Sequence, residues 1–241
     1  MLTVTDLKKS YGDKTAVGDL CLTLEEGRIF GMLGTNGAGK STLLRLMCGI
    51  LRPDAGSVQL DGMPVYENPA AKQQICYLSD EPAFLPSATI ARMGQQQAAY
   101  YKSFDPEKLK ELCKRFSLPM NERITSFSKG TQKRAQICLG LALNPKVLLC
   151  DETFDGLDPV MRQTVRRIIA GEVADRGMCV IFASHNLKEI EDICDHVALL
   201  HRGELLFEAG LDDIKLGLHK IQISFERDRA EAMQTALEQL K

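Results

Sequence analysis

The chain has 241 residues, 44% of them hydrophobic, which suffices for one large α/β domain or for one domain with an inserted subdomain. Its formal net charge of −2 gives no indication of a nucleic-acid partner. No apolar stretch approaches the roughly 20 residues that a membrane span requires. Met1 leads directly into the strand-like run Leu2–Val4, without the regions of a signal peptide, so we expect a cytoplasmic protein.

A phosphate-binding loop follows the first predicted strands. The third strand, Ile29–Leu33, is apolar throughout, and residues 34–42 then read Gly-Thr-Asn-Gly-Ala-Gly-Lys-Ser-Thr before a helical pattern. This is the motif G-x-x-x-x-G-K-[ST] in the strand–loop–helix context that it requires. Its backbone N–H groups and the helix N-terminus attract an anion. Lys40 can reach the β- and γ-phosphates of a nucleotide, and Ser41 is placed to bind Mg²⁺.

The middle of the chain is predicted to be a helical insertion. A strand at Ile75–Leu78 ends at the segment 79–82, Ser-Asp-Glu-Pro, and from about residue 87 to 144 the pattern is helical. We therefore expect an α/β core at 1–86 and 145–215, a helical subdomain at 87–144, and a C-terminal β-α element at 216–241. The sequence leaves open whether that last element is complete. The eight cysteines show no C-x-x-C spacing, which favours buried free thiols over a metal or disulfide framework.

Polar residues follow two buried strands in the second half of the chain. The apolar runs Val147–Cys150 and Met178–Ala183 are typical of parallel strands covered on both faces by helices. Ligand sites of such sheets lie at the carboxyl ends of the strands. Asp151 is therefore positioned to bind Mg²⁺, directly or through water, and Glu152 is the candidate base. His185 ends the next strand, although a lone histidine is more often structural than catalytic.

Taken together, these motifs resemble the nucleotide-binding subunits of ATP-binding-cassette (ABC) transporters over about residues 1–215. The family's signature is similar to residues 127–134, Phe-Ser-Lys-Gly-Thr-Gln-Lys-Arg, and its D-loop to residues 156–159. Its switch histidine matches His185, and its adenine-stacking aromatic matches Tyr11. Asp158 belongs to this D-loop, and with Pro159 beside it also forms a good helix N-cap. The residues expected to bind ATP are Tyr11, Thr35, Asn36, Gly37, Ala38, Gly39, Lys40, Ser41 and Thr42.

The resemblance implies a fold and a mechanism. The fold is α/β, a P-loop NTPase cassette with a mainly parallel core sheet, an N-terminal antiparallel β subdomain and an inserted helical subdomain. Two subunits would pair head to tail, and each ATP would lie between one phosphate loop and the partner's signature. Glu152 would polarise water, His185 would contact the γ-phosphate, and hydrolysis would open the dimer. The signature residues expected to contact the partner's ATP are Ser128, Lys129, Gly130 and Thr131.

The resemblance also implies cofactors and partners. The cofactors are ATP and Mg²⁺. The partners are a transmembrane permease subunit and a second ATP-binding subunit, either another copy or a related chain. The protein would then be peripheral on the inner face of the cell membrane, held there by the permease, with no membrane insertion of its own.

Two departures from the family pattern refine these expectations. The signature has Lys129 and Thr131 where the family usually has glycine and glutamine, which is similar to exporter ATPases of the drug, bacitracin and lantibiotic resistance type. Asp80 stands where the family places the glutamine of its Q-loop. Our hypothesis is that Asp80 approaches Mg²⁺ as an anion, so that Asp80→Gln would preserve activity. Residues 80–86 are the expected groove for a coupling helix.

An exporter ATPase is thus the first hypothesis, and two alternatives stay open. One is a soluble, non-transport ABC ATPase. The other is a weakly hydrolysing nucleotide-binding regulatory module, which only Asp80 and the altered signature favour. The sequence does not identify the transported substrate, and only resemblance indicates the direction of transport.

Overall fold

The structure is a computed structural model that describes residues 1–217. The chain divides into two compact units after Leu211, and the unit Met1–Leu211 holds both sheets. The β-α element predicted for 216–241 lies, from residue 218 onward, outside the described residues. The strands are β1 Leu2–Tyr11, β2 Lys14–Leu24, β3 Ile29–Leu33, β4 Ala55–Leu60, β5 Met63–Pro64, β6 Ile75–Leu78, β7 Val147–Asp151, β8 Cys179–Ser184, β9 His196–His201 and β10 Glu204–Gly210. The α helices are α1 Lys40–Met47, α2 Pro69–Lys72, α3 Ile90–Tyr100, α4 Pro106–Arg115, α5 Lys129–Leu141, α6 Pro159–Arg176, α7 Leu187–Glu191 and α8 Leu211–Gly217.

An antiparallel sheet in the order β2-β1-β4-β5 forms the N-terminal part. Strands β1 and β2 are joined by a tight turn at Gly12, where φ is +58°. Buried Leu2 and Val4 alternate with the half-buried Thr3, so one face of β1 packs on the core. Tyr11 is the last residue of β1, so it lies at the end of this strand, beside the hairpin turn.

The second sheet has the order β10-β9-β3-β8-β7-β6, and β10 alone runs antiparallel to its neighbour. All residues of β7 and β8 are buried, because helices cover both faces of a parallel sheet. The register aligns Leu33 with Ser184 and Asp151 with Ala183, so three strands end at one edge. The α/β fold with a mainly parallel core sheet is thereby confirmed, and β8 begins one residue later than predicted.

Helices α3, α4 and α5 lie in the chain between β6 and β7, where the helical insertion is predicted. Each begins at a side-chain N-cap: Thr89, Asp105 and Ser128, respectively. Contacts place these helices in the same compact unit as the sheets, and the division at residues 87–144 stays a prediction.

All eight cysteines are free thiols, and burial raises the pKa of Cys48 to about 11 and that of Cys76 to about 12. Within residues 1–217, each helix is too short or too polar to cross a membrane.

Candidate nucleotide-binding site

A cleft of about 460 Å³ lies where β3 ends. Phosphate-loop residues 35–42 form one wall, and Tyr11 stands at the rim, half exposed. Asp80 and Glu152 also line the cleft. The structure thus brings together residues from four predicted motifs that are distant in the sequence. The signature residues 128–131 do not line this cleft.

Close backbone packing shapes the phosphate loop. Gly39 has φ of +110°, a region that favours glycine, and a Cβ there would collide with the carbonyl oxygen of Ala16 in β2. The loop is further held by the N–H of Gly203, which donates to the carbonyl of Ala38 at 2.8 Å. Helix α1 begins directly at Lys40, so its free N–H groups face the same loop. This arrangement is a cradle for a phosphate group.

Lys40 is buried, with 6% of its surface exposed. Its Nζ donates to the carbonyl oxygen of Gly34 at 2.6 Å and lies 3.4 Å from Oε1 of Glu152. A buried ammonium group needs such partners, because water does not solvate it. Lys40 therefore connects the phosphate loop directly to the candidate base.

Asp151 is 1% exposed and has one unpartnered oxygen. The hydroxyl of Tyr77 donates to its Oδ2 at 2.8 Å, whereas no residue among 1–217 donates to its buried Oδ1. Burial raises the pKa of Tyr77, so this hydroxyl stays a proton donor at neutral pH. A buried oxygen of this kind calls for a ligand, and carboxylate and hydroxyl oxygens such as those of Asp151 and Ser41 are the donors that Mg²⁺ prefers. The residues present therefore fit a magnesium ion.

Tyr77 is a contributor that the sequence interpretation missed. It is the third residue of β6 and lies opposite Leu149 of β7, two residues before Asp151. The available signal was a tyrosine with a polar end on an otherwise apolar strand beside the one that carries the carboxylate.

The two predicted catalytic residues are in contact. Oε2 of Glu152 lies 3.0 Å from Nδ1 of His185. Glu152 has φ of +46°, and its N–H donates to the carbonyl of Ala183 in β8 at 3.0 Å. The hydrogen bond with Glu152 raises the pKa of His185, and its charge and that of nearby Asp155 act in the same direction. This pairing orients the carboxylate toward the cleft end that Lys40 also reaches.

A buried acid next to His185 forms a second unpredicted group. Glu189 is 3% exposed; it accepts from the Ser184 hydroxyl at 2.9 Å and pairs with Arg162 at 3.2 Å. Arg162 Nε also donates to the carbonyl of Leu157 in the D-loop at 2.9 Å. The D-loop and the turn carrying His185 are therefore held together. The signal was a glutamate in the first turn of a helix that directly follows a buried strand.

The signature residues lie at the N-terminus of α5. The exposed Ser128 caps this helix, and its hydroxyl lies 2.9 Å from that of Thr131. A Cβ at Gly130 would stand 2.7 Å from the carbonyl oxygen of Gly156, so the signature packs closely on the D-loop of the same chain. Asp158 is the N-cap of α6 and accepts from Met161 N at 2.9 Å. These contacts give Asp158 a structural role, and its role in a dimer stays a prediction.

Asp80 has a partner that the sequence interpretation missed. Its Oδ1 lies 2.9 Å from Nζ of Lys133 in α5, although Asp80 also lines the cleft. Lys133 donates in addition to the carbonyl of Glu152 at 2.9 Å. The role of Asp80 as a metal ligand stays a prediction. The available signal was Lys133 within the signature region itself, whose positive charge is opposite to that of Asp80.

The sheet, the phosphate loop and the carboxylates at the strand ends define an α/β nucleotide-binding protein of the P-loop class. A sequence model of the ABC transporter family matches residues 17–155. The ABC transporter ATP-binding protein YtrB of Bacillus subtilis is 33% identical over 228 residues, which are 95% of this chain and 78% of that protein. The chain therefore belongs to the ABC transporter family, as one of its ATP-binding cassettes.

Other relatives and solved structures agree with this assignment. The bacitracin transport ATP-binding protein BcrA of Bacillus licheniformis is 30% identical, over 89% of this chain and 71% of its own length. An ATP-binding subunit of an ABC transporter has the same fold, with a TM-score of 0.84, 24% identity and complete coverage of both chains. A dimeric ATP-binding cassette in a post-hydrolysis state with ADP and Pi gives a TM-score of 0.79 at 21% identity, over 88% of this chain and 99% of that one.

Proposed function

We propose that this cassette binds ATP with Mg²⁺ and hydrolyses it to ADP and phosphate. The observation that carries the proposal is the contact series Lys40–Glu152–His185 at the mouth of the phosphate loop. A buried cation, a carboxylate and an imidazole in contact within a cleft, beside an anion-binding helix terminus, are the features of a candidate catalytic site. A γ-phosphate held by the loop would lie next to all three.

Each residue then has a distinct task. The loop N–H groups and Lys40 bind the phosphates, and Tyr11 stacks on the adenine. Ser41 and the free oxygen of Asp151 would hold Mg²⁺, which supplies neutralisation of phosphate charge when it is bound. Glu152 orients a water molecule and accepts its proton, while His185 holds the carboxylate in place.

We further propose that two cassettes pair head to tail and act on a transmembrane permease. The exposed N-terminus of α5, with Ser128 and Gly130, offers backbone N–H groups to a phosphate on a facing subunit. The dimeric cassette among the solved structures supports this pairing. A further relative, the lipopolysaccharide export system ATP-binding protein LptB of Haemophilus influenzae, is 31% identical over 86% of this chain and 89% of its own length. The names of BcrA and LptB support a role in transport, and the name of LptB supports export as the direction. The protein would work at the inner face of the membrane through the permease.

The test is Glu152→Gln, which keeps the size of the side chain and removes the base. We expect magnesium-dependent ATPase activity in the parent and a loss of about 10²- to 10⁴-fold in the variant, the range for general base catalysis. In ATP and Mg²⁺, the variant should elute from a size-exclusion column as a dimer. Glu191→Gln, an exposed change of the same chemistry, is the matched control and should retain activity.

Two outcomes would count against the proposal. A parent that binds ATP without turning it over would favour the weakly hydrolysing regulatory module. Co-purification with a soluble scaffold instead of a membrane protein would favour a non-transport ABC ATPase.

A further inference from the structure

Two side chains of α5 hold the segment that follows β6. Lys133 and Gln136 are three residues apart, so they lie on the same face of the helix. Lys133 pairs with Asp80 at 2.9 Å. With its amide oriented so that both ends are satisfied, Gln136 donates to the carbonyl of Ser79 at 3.1 Å and accepts from Ser79 N at 3.0 Å. The segment after β6 is therefore attached to α5, the signature helix, through its two consecutive residues Ser79 and Asp80.

The same lysine also holds the backbone of the candidate base. Lys133 Nζ donates to the carbonyl oxygen of Glu152 at 2.9 Å. On its other side, the N–H of Glu152 donates to Ala183 in β8 at 3.0 Å. Glu152 has φ of +46°, a conformation that a non-glycine residue keeps only where its surroundings hold it. The carbonyl of Glu152 also accepts from Asp155 N at 3.2 Å. Lys133 therefore supplies one of three hydrogen bonds to this backbone, and it does so with a side chain from α5.

The charge at residue 80 and the charge at residue 133 depend on each other. The side chain of Lys133 is 9% exposed and that of Asp80 is 53% exposed. A buried ammonium without an anionic partner is costly, whereas a half-exposed carboxylate is partly solvated. A contact within the chain therefore explains aspartate at position 80, because its carboxylate neutralises Lys133, the lysine that reaches Glu152.

We propose that Lys133 is a positioning residue for hydrolysis, which acts by holding the backbone of Glu152, and that Asp80 is its charge partner. The pair transmits the position of the signature helix to the candidate base. This inference rests on the proposed ATPase function. It also changes the result expected for Asp80→Gln. The sequence interpretation predicts preserved activity, whereas the contact series Asp80–Lys133–Glu152, which we call the tie, predicts a loss.

A double-mutant cycle tests the tie. We expect Asp80→Gln and Lys133→Gln each to lower kcat about tenfold with KM for ATP within about twofold, because the effect is on the base and not on nucleotide binding. The double variant should return to within about threefold of the parent, since two neutral amides can bond to each other and to the Glu152 carbonyl. Additive losses, or an Asp80→Gln variant with full kcat, would overturn the proposal.

A thermal-unfolding cycle without nucleotide gives a readout that does not depend on turnover. Each single variant should unfold at a lower temperature, and the double variant should recover part of the loss. Lys108→Gln and Glu172→Gln provide the matched control, because this ion pair also joins the helical region to α6 but lies away from the cleft. The controls should lower the unfolding temperature and leave kcat unchanged.

The two readouts separate failures of the two proposals. A parent without ATPase activity whose unfolding cycle shows the recovery would contradict the proposed function and leave the tie intact. A fully active parent whose two cycles are both additive would contradict the tie alone.

Discussion

The side chains around the phosphate loop and those of the signature at the N-terminus of α5 differ in burial and in the number of contacts they make with the rest of the chain. Lys40 and Asp151 are almost fully buried and contact residues from other strands and loops. Ser128 and Lys129 are exposed, and the Ser128 side chain bonds within the first turn of its own helix. One half of the proposed ATP site is therefore built within the chain, and the other is an exposed helix terminus that, in the proposed dimer, would face a second molecule.

The largest expected effect is on the half that is built within the chain. Lys40→Met keeps the length of the side chain and removes the charge that meets the β- and γ-phosphates. We expect ATPase activity to fall at least about a hundredfold, as for other preorganised charges on a transferred phosphoryl group. Steady-state ATPase assays and calorimetric ATP titration measure the change. Lys188→Met, on the exposed face of α7, is the control, and a Lys40 variant with near-normal turnover would contradict the assignment.

Mixing two impaired variants tests whether the signature completes the site of another copy. We expect Ser128→Ala alone to lose about tenfold in activity, because the cap and a phosphate donor are both removed. Mixed in equal amounts with Lys40→Met, it should recover up to about a quarter of the parental activity, because half of the dimers would contain one intact site. Should the mixture show only the average of its two components, pairing with a related chain would replace self-pairing.

Tyr77→Phe examines whether the partners of Asp151 are as important as their burial indicates. The change leaves a buried carboxylate oxygen without its donor, so we expect a loss of about 1–3 kcal/mol in the free energy of unfolding. Urea unfolding without nucleotide measures this loss, and the Mg²⁺ concentration for half-maximal ATPase activity should also change. Tyr100→Phe, whose ring is exposed, should differ little from the parent.

The smallest effect concerns the pH dependence of His185. The hydrogen bond with Glu152 raises the pKa of His185 above the 6.5 of a free imidazole, so Glu152→Gln should lower it again. Because the folded-state pKa is raised, the stabilisation from this contact is complete below pH 6.5 and is lost as the pH rises through the folded-state value. NMR titration of the imidazole measures both values. Asp155 also raises the pKa of His185, whereas Lys40 lowers it, so a pKa that is unchanged in the variant would assign the upward shift to Asp155.

Local pattern predicted the elements that make up the phosphate loop. The apolar strand Ile29–Leu33 and the helix starting at Lys40 have the predicted positions, because strand burial and glycine-rich turns act over a few neighbouring residues. The strand Ile75–Leu78 was also placed correctly. Strand β8 begins at Cys179, one residue after the predicted start, since the ends of elements depend on packing as much as on sequence.

The sequence by itself determined the class of protein, the phosphate loop and the carboxylates at the strand ends. These signals are local in the chain or follow from the common direction of parallel strands. Only the tertiary structure decided which partners these residues have: Tyr77 for Asp151, and Lys133 for both Asp80 and Glu152. These pairs are separated by 74, 53 and 19 positions in the chain. A hydrogen bond of about 3 Å depends on how helices and sheets pack, and no short sequence pattern encodes that packing.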